Sequence, residues 1–320
     1  MTPVSPQTRH STLARLQQAL TLWALACALG WLVWLWPYSP TLALAGFFTL
    51  TLGYVGVLAL EFVLLVAVAR GDPAPRPTPL ELVGAWAREV RMALQVFAWR
   101  QPFHWRAVPD HLDGERVTGR HGVVLVHGFL CNRGFWTPWL RRLRSEGRAV
   151  VAVNLEPVFG SIDDYALIVH GAVQRVREAT GRPPVLVCHS MGGVAARAWL
   201  RTFRDEHPPA HVVTLGSPHA GTWLARFSHL PNGRQMRQDS VWMQALGQAW
   251  SAHLAVRFTC WYSNCDNIVM PPSTATLPGA DNRLLTGAAH IDLAFRPQVM
   301  AHTLDLLATL DRGAISRRDP

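Results

Sequence analysis

Pro184-Val185-Leu186-Val187-Cys188-His189-Ser190-Met191-Gly192-Gly193 decides how the rest of this chain is read. An apolar run rich in β-branched residues stops at a serine set among small residues, and a helix-compatible segment, Val194 to Phe203, follows at once. The order is strand, sharp turn, helix, with Ser190 at the apex. Such a turn lifts the serine hydroxyl clear of the backbone and leaves the next N–H groups free at a helix N-terminus, where negative charge is favoured. A serine that only caps the helix has the same local sequence, so the remainder of the chain has to separate the two.

Outward from this stretch the chain alternates. Val123–Val126, Ala149–Val153, Val185–Val187, Val212–Leu215, Val256–Tyr262 and a weaker Arg283–Thr286 read as strands, short and rich in β-branched residues. Helical segments fall between them at Thr137–Glu146, Asp163–Thr180, Val194–Phe203 and Gln298–Leu310. Strand and helix in turn predict an α/β fold with a doubly wound, mostly parallel sheet, whose ligands sit at the carboxyl ends of the strands. Residues 115–312 form this unit, and 313–320 are a tail.

The Cys188-His-Ser-Met-Gly-Gly segment resembles the nucleophile elbow of α/β-hydrolases, in the His-Ser-Met-Gly-Gly version found in lipases and esterases. The usual pattern is Gly-x-Ser-x-Gly, and this chain departs from it with Cys188 in the first glycine slot. The resemblance implies that Ser190 is the nucleophile. It also implies that the backbone N–H groups of Met191 and of Phe129, in His127-Gly128-Phe129-Leu130, form the oxyanion hole. A serine hydroxyl is a weak nucleophile until a base takes its proton, and the family order of serine, acid, histidine places that base late in the chain. His290, in the small-residue loop Gly287-Ala-Ala-His290 after a strand candidate, fits better than His302, which lies inside a helix. The orienting acid is expected at Asp266, in the turn after the preceding strand, with Asp239 as the alternative.

Further stretches, Gly216-Ser-Pro-His-Ala-Gly-Thr222 and Asn154–Asp163, are similar to segments of bacterial lipases and related membrane-associated esterases. They put His219, with His127 and His189, among candidate pocket residues, although each serves equally as a structural polar group. The irregular apolar stretch at about 223–250 interrupts the alternation where such folds carry a cap.

Residues 1–70 differ in kind. Two uncharged runs, at about 19–36 and 41–60, flank Pro37-Tyr-Ser-Pro40. At about 1.5 Å per residue, each nearly spans a bilayer core of about 30 Å, so two transmembrane helices joined as a hairpin are expected. A signal peptide fits poorly, because the first run ends in Trp and Pro and a second follows directly. Trp31, Trp34, Trp36 and Tyr38 suit the far interface. Arg9 and Arg15 precede the first span, Arg70, Arg76 and Arg88 follow the second, and the turn is uncharged. The positive-inside rule then places the hydrolase unit on the cytoplasmic side of the inner membrane of a multi-pass protein. Glu61 is read as the end of the second span or as a carboxylate reaching for the interface, with an intramembrane polar site as the alternative. Residues 71–114 comprise a Pro-rich linker and an amphipathic helix, with Leu82, Trp86, Val90, Leu94 and Phe97 on its apolar side, which lies on the membrane or packs on the catalytic unit.

The net charge of +9 comes with no lysine, and the arginines are scattered without interleaved stacking aromatics, which argues against a nucleic-acid partner. The 5 cysteines show neither metal-ligand spacing nor an even framework of disulfides. No cofactor or metal is implied. The expected function is a membrane-anchored serine hydrolase acting on a small-molecule acyl ester or lipid. A thioesterase or acyltransferase using the same residues, and a non-catalytic lipid-binding protein on the same scaffold, are the alternatives.

Overall fold

The computed structural model describes residues 10–114, 117–203, 208–250 and 257–315. Arg9, His207, His253, Val256 and the end of the expected tail lie outside the described residues.

The described N-terminal residues are mostly helical. Helix α1 (Thr12–Leu35) starts where the Ser11 side chain accepts the Ala14 N–H, and α2 (Pro40–Val68) starts on the same device at Ser39, with proline in its first turn. Both are long and apolar enough to cross a membrane. Their far ends expose Trp34, Trp36 and Tyr38. The near ends are rooted in the rest of the molecule: Leu13 and Ala14 of α1, and Phe62 and Leu65 of α2, are buried. The α2 helix continues past Glu61, which is therefore not where the helix stops.

Helix α3 (Pro79–Gln95) opens on a reciprocal capping box between Thr78 and Glu81 and continues through a wider turn into α4 (Gln101–Phe103). Its most buried stripe is Ala85, Glu89, Met92 and Ala93, followed by Val96. The apolar side read from the sequence is offset from this stripe and meets α2 instead, where Trp86 Nε1 donates to the Val55 carbonyl and Tyr54 Oη donates to that of Val90. The helix thus packs on both partners, and one of its charges points inward.

The described residues of the remainder form a six-stranded parallel sheet in the order β2-β1-β3-β4-β5-β6. In chain order the elements are β1 (Val123–Val126), α5 (Thr137–Ser145), β2 (Val150–Ala152), α6 (Tyr165–Thr180), β3 (Val185–His189), α7 (Met191–Thr202), β4 (His211–Leu215), α8 (Pro231–Gln235), α9 (Val241–Trp250), β5 (Phe258–Tyr262), β6 (Asp281–Leu284), α10 (His290–Leu293) and α11 (Pro297–Ile315). The four central strands are buried on both faces, which is why they read as continuous β-branched runs. One core fills the face under α6 and α7, another the face under α5 and α11. Cys188 lies fully buried in β3, level with Val126 and Thr214, so the cysteine in the elbow is accommodated within the strand. The last strand begins at Asp281, earlier than its apolar residues suggest, because an edge strand tolerates the exposed Asp281 and Asn282.

Candidate active site

The segments that follow β3, β5 and β6 carry the candidate residues at the carboxyl end of the sheet. β3 ends at His189, and Ser190 follows with φ of 54° and ψ of −128°, a left-handed turn rarely adopted by residues with a side chain. Its N–H donates to the Leu215 carbonyl at the end of β4, which holds the turn against the neighbouring strand. Met191 opens α7, so its N–H has no acceptor within the helix. Gly128 leads the loop after β1 past this turn: a Cβ there would stand 2.7 Å from Ser190 Cβ, so only glycine lets the loop pass this close to the serine.

Asp266 lies in the turn after β5 and His290 opens α10 after β6. His290 Nδ1 lies 2.9 Å from Asp266 Oδ1 and 3.0 Å from Oδ2. Asp266 is itself fixed, with Oδ1 accepting the N–H groups of Ile268 and Val269 at 3.0 and 2.8 Å. Gly216, after β4, approaches the pair so closely that a Cβ would lie 2.7 Å from Asp266 Oδ2. Burial pulls the His290 pKa down, but the Asp266 charge and hydrogen bond, with the charges of Glu89 and Glu61, outweigh it and raise it above the ordinary imidazole value. Ser190, Asp266 and His290 are all buried at this edge. Asp239, the alternative acid, stands in the turn before α9.

The other candidate histidines face the scaffold. His127 Nε2 accepts the Leu155 N–H at 3.0 Å and its Nδ1 donates to the Gly128 carbonyl at 2.8 Å, tying the loop after β1 to the one after β2. Burial depresses its pKa to about 4, so it is neutral. His189 stacks on Phe135 and donates from Nε2 to the His290 carbonyl at 3.1 Å. His219 is buried with Nε2 at 3.0 Å from Thr214 Oγ1. The 223–250 stretch forms short helices that bury Met236, Met243 and Leu246 and leave Phe227, Leu230 and Val241 exposed. Arg197 of α7 donates to the carbonyl of Leu246 within it and to that of His219 just before it.

Several polar groups around His290 carry no motif. Asn267, beside Asp266, accepts the His290 N–H with Oδ1 at 3.1 Å. Glu89 of α3 accepts the N–H groups of Ile291 and Asp292. Asp292, whose proximity in sequence to His290 could suggest a partner for it, pairs with Arg88 at 3.1 Å and Arg296 at 2.9 Å. Only adjacency to Asp266 marks Asn267 in the sequence, and nothing local marks Glu89. A cavity of about 430 Å³ lies apart from the serine, between α2 and α3, lined by Phe62, Val66, Leu82, Trp86 and Arg70 among others.

No curated protein matches the chain. Among solved structures, a lipase of Bacillus licheniformis in its mature form superposes with a TM-score of 0.55 at 17% identity, covering 61% of this chain and 96% of that one. Lipase B of Aspergillus fumigatus superposes with a TM-score of 0.57 at 18% identity, covering 93% of this chain and 82% of that one. These likenesses are of fold. A family model described as the alpha/beta hydrolase family matches residues 123–318, from the first strand through the last helix, and the chain therefore belongs to the alpha/beta hydrolase family.

Proposed function

We propose that this protein is a membrane-anchored serine hydrolase that cleaves carboxylic esters, acyl lipids or other apolar esters among them. The observation that carries the reading is the buried Asp266–His290 pair, 2.9 Å apart at the strand edge where Ser190 is held in its strained turn. In this reading His290 takes the Ser190 hydroxyl proton onto Nε2 as the serine oxygen attacks the ester carbonyl. Asp266 fixes the tautomer that leaves Nε2 unprotonated and stabilises the imidazolium. The oxyanion accepts from the N–H groups of Met191 and Phe129. His290 then returns the proton to the departing alcohol, leaving an acyl-enzyme on Ser190, and water repeats the sequence to release the acid.

The apolar substrate class and the membrane location rest on different features. Helices α1 and α2 present broad exposed apolar faces, with Leu20, Trp23, Leu29 and Val33 on one and Leu42, Phe48 and Leu52 on the other. Leu130 and Phe159, in the loops after β1 and β2, and Phe227 and Leu230, in the 223–250 stretch, are exposed apolar side chains of the kind a cap over an acyl pocket would present. The arginines flanking the hairpin favour the cytoplasmic side for the hydrolase unit. Purified full-length protein in detergent is expected to hydrolyse p-nitrophenyl acyl esters, and Ser190→Ala to abolish that activity in folded protein. Retained hydrolysis by Ser190→Ala would remove Ser190 as the nucleophile.

A further inference from the structure

Glu61 is a carboxylate on an otherwise apolar helix, and it is directed at the catalytic edge. Its Oε2 accepts from Asn267 Nδ2 at 2.6 Å, and the same amide's Oδ1 accepts the His290 N–H at 3.1 Å. Asn267 is fully buried. An amide flipped by half a turn would turn Nδ2 toward the His290 N–H and Oδ1 toward the carboxylate, two contacts without a donor and acceptor in place. The Glu61 carboxylate therefore fixes which way Asn267 faces, and Asn267 fixes the backbone of His290. The packing around this relay is continuous. Phe62 and Leu65, on the turn of α2 after Glu61, are buried in one cluster with Ala85, Cys265, Met270 and Ala289. Ala289 and Cys265 are the residues immediately before His290 and Asp266. Glu89 of α3 holds the two N–H groups that follow, at Ile291 and Asp292.

We propose that Glu61, acting through Asn267, is a positioning residue for His290, so that α2 is part of the scaffold of the active site as well as an anchor. The proposal rests on the hydrolase reading above and extends it to the N-terminal helices. Helix α2 would then transmit its own placement to the base: a shift of its lower turn moves Asn267, and with it the ring paired to Asp266. The charged groups facing His290 are Asp266 after β5, Glu89 on α3 and Glu61 on α2, with the His189 ring from β3 at 4.6 Å. Glu61 therefore acts on His290 in two separable ways, through the hydrogen bond to Asn267 and through its charge.

The test uses full-length protein in detergent with p-nitrophenyl butyrate, comparing Glu61→Ala, Glu61→Gln and the outward-facing Val57→Ala, with kcat, KM and the pH profile measured for each. Glu61→Ala is expected to lower kcat by about 10- to 100-fold with KM unchanged, the usual cost of losing a group that orients a site residue. Glu61→Gln, which can still accept from Asn267, is expected to restore most of kcat, while the acid limb of its profile moves to lower pH because the nearby negative charge is gone. Val57→Ala is expected to match the wild type. Wild-type kcat and an unmoved limb in Glu61→Ala would overturn the proposal, as would a Glu61→Gln protein as slow as Glu61→Ala. If Glu61→Ala does not fold, Glu61→Leu, which fills the same space without an acceptor for Asn267, takes its place, and wild-type kcat in it overturns the proposal. A folded wild type that hydrolyses no ester would overturn the hydrolase reading and the proposal with it, whereas an active wild type with indifferent Glu61 variants overturns the proposal alone.

Discussion

His290 directs Nδ1 between the two carboxylate oxygens of Asp266, at 2.9 and 3.0 Å, in a site where both side chains are almost wholly buried. The pairing leaves Nε2 as the ring atom available to a substrate hydroxyl or to Ser190. Because Asp266 Oδ1 is also held by the N–H groups of Ile268 and Val269, the carboxylate cannot swing away from the ring without losing those bonds.

Asp266→Asn keeps the shape of this contact and reverses its polarity. The carboxamide can still accept from Ile268 and Val269, but it presents N–H groups to the ring and favours the tautomer with the proton on Nε2. We expect kcat for a p-nitrophenyl ester to fall by about 10⁴-fold, with the thermal midpoint little changed. A variant within about tenfold of wild type would remove Asp266 from the orienting role.

The pH dependence follows from the direction of the His290 shift. In the proposed mechanism His290 must be neutral to accept the serine proton, and the Asp266, Glu89 and Glu61 charges outweigh burial and hold its pKa above the ordinary value. The acid limb of kcat/KM should therefore have its midpoint above about 6.5, the unperturbed imidazole value. Burial also pushes the Glu89 carboxyl up to about 7, so the limb belongs to two coupled groups rather than to one. His127, depressed to about 4, stays neutral throughout that window. A midpoint clearly below 6.5 would contradict this assignment of charges.

Arg133 supports the fold beneath the site. Its guanidinium, 3% exposed, reaches Asp110 at 2.7 Å and donates to the carbonyls of Trp105, Val108 and Ala152, fastening the segment before the sheet onto β2. Removing one member of a buried ion pair typically costs about 3–5 kcal/mol. Arg133→Ala should approach the lower end of that range, because Arg175 still faces Asp110 at 3.1 Å. Denaturant unfolding monitored by tryptophan fluorescence provides the measurement, and a loss under about 1 kcal/mol would show that the pair is dispensable.

The sheet was legible because parallel strands buried on both faces leave dense β-branched runs, and Val123–Val126 stands out for that reason. The edge strand was less so, since exposure lets polar Asp281 and Asn282 belong to it. Around the serine, a linear reading finds the residues that end strands, as Ser190 and His290 follow β3 and β6. It does not find Glu89, whose carboxylate sits on a stripe between apolar faces and acquires its partners only when α3 docks against residues some 200 positions later. It could read Glu61 only in terms of its own run for the same reason. A carboxylate in an apolar run signals an interface when only the run is visible, whereas here it meets an amide from the turn after β5.

The most direct measurement is covalent labelling of the full-length protein with a fluorophosphonate, followed by peptide mapping of the adduct. The account predicts a single modification on the peptide carrying Ser190, lost in Ser190→Ala and strongly slowed in His290→Ala. Labelling at another residue, or no labelling of folded wild-type protein, would contradict it.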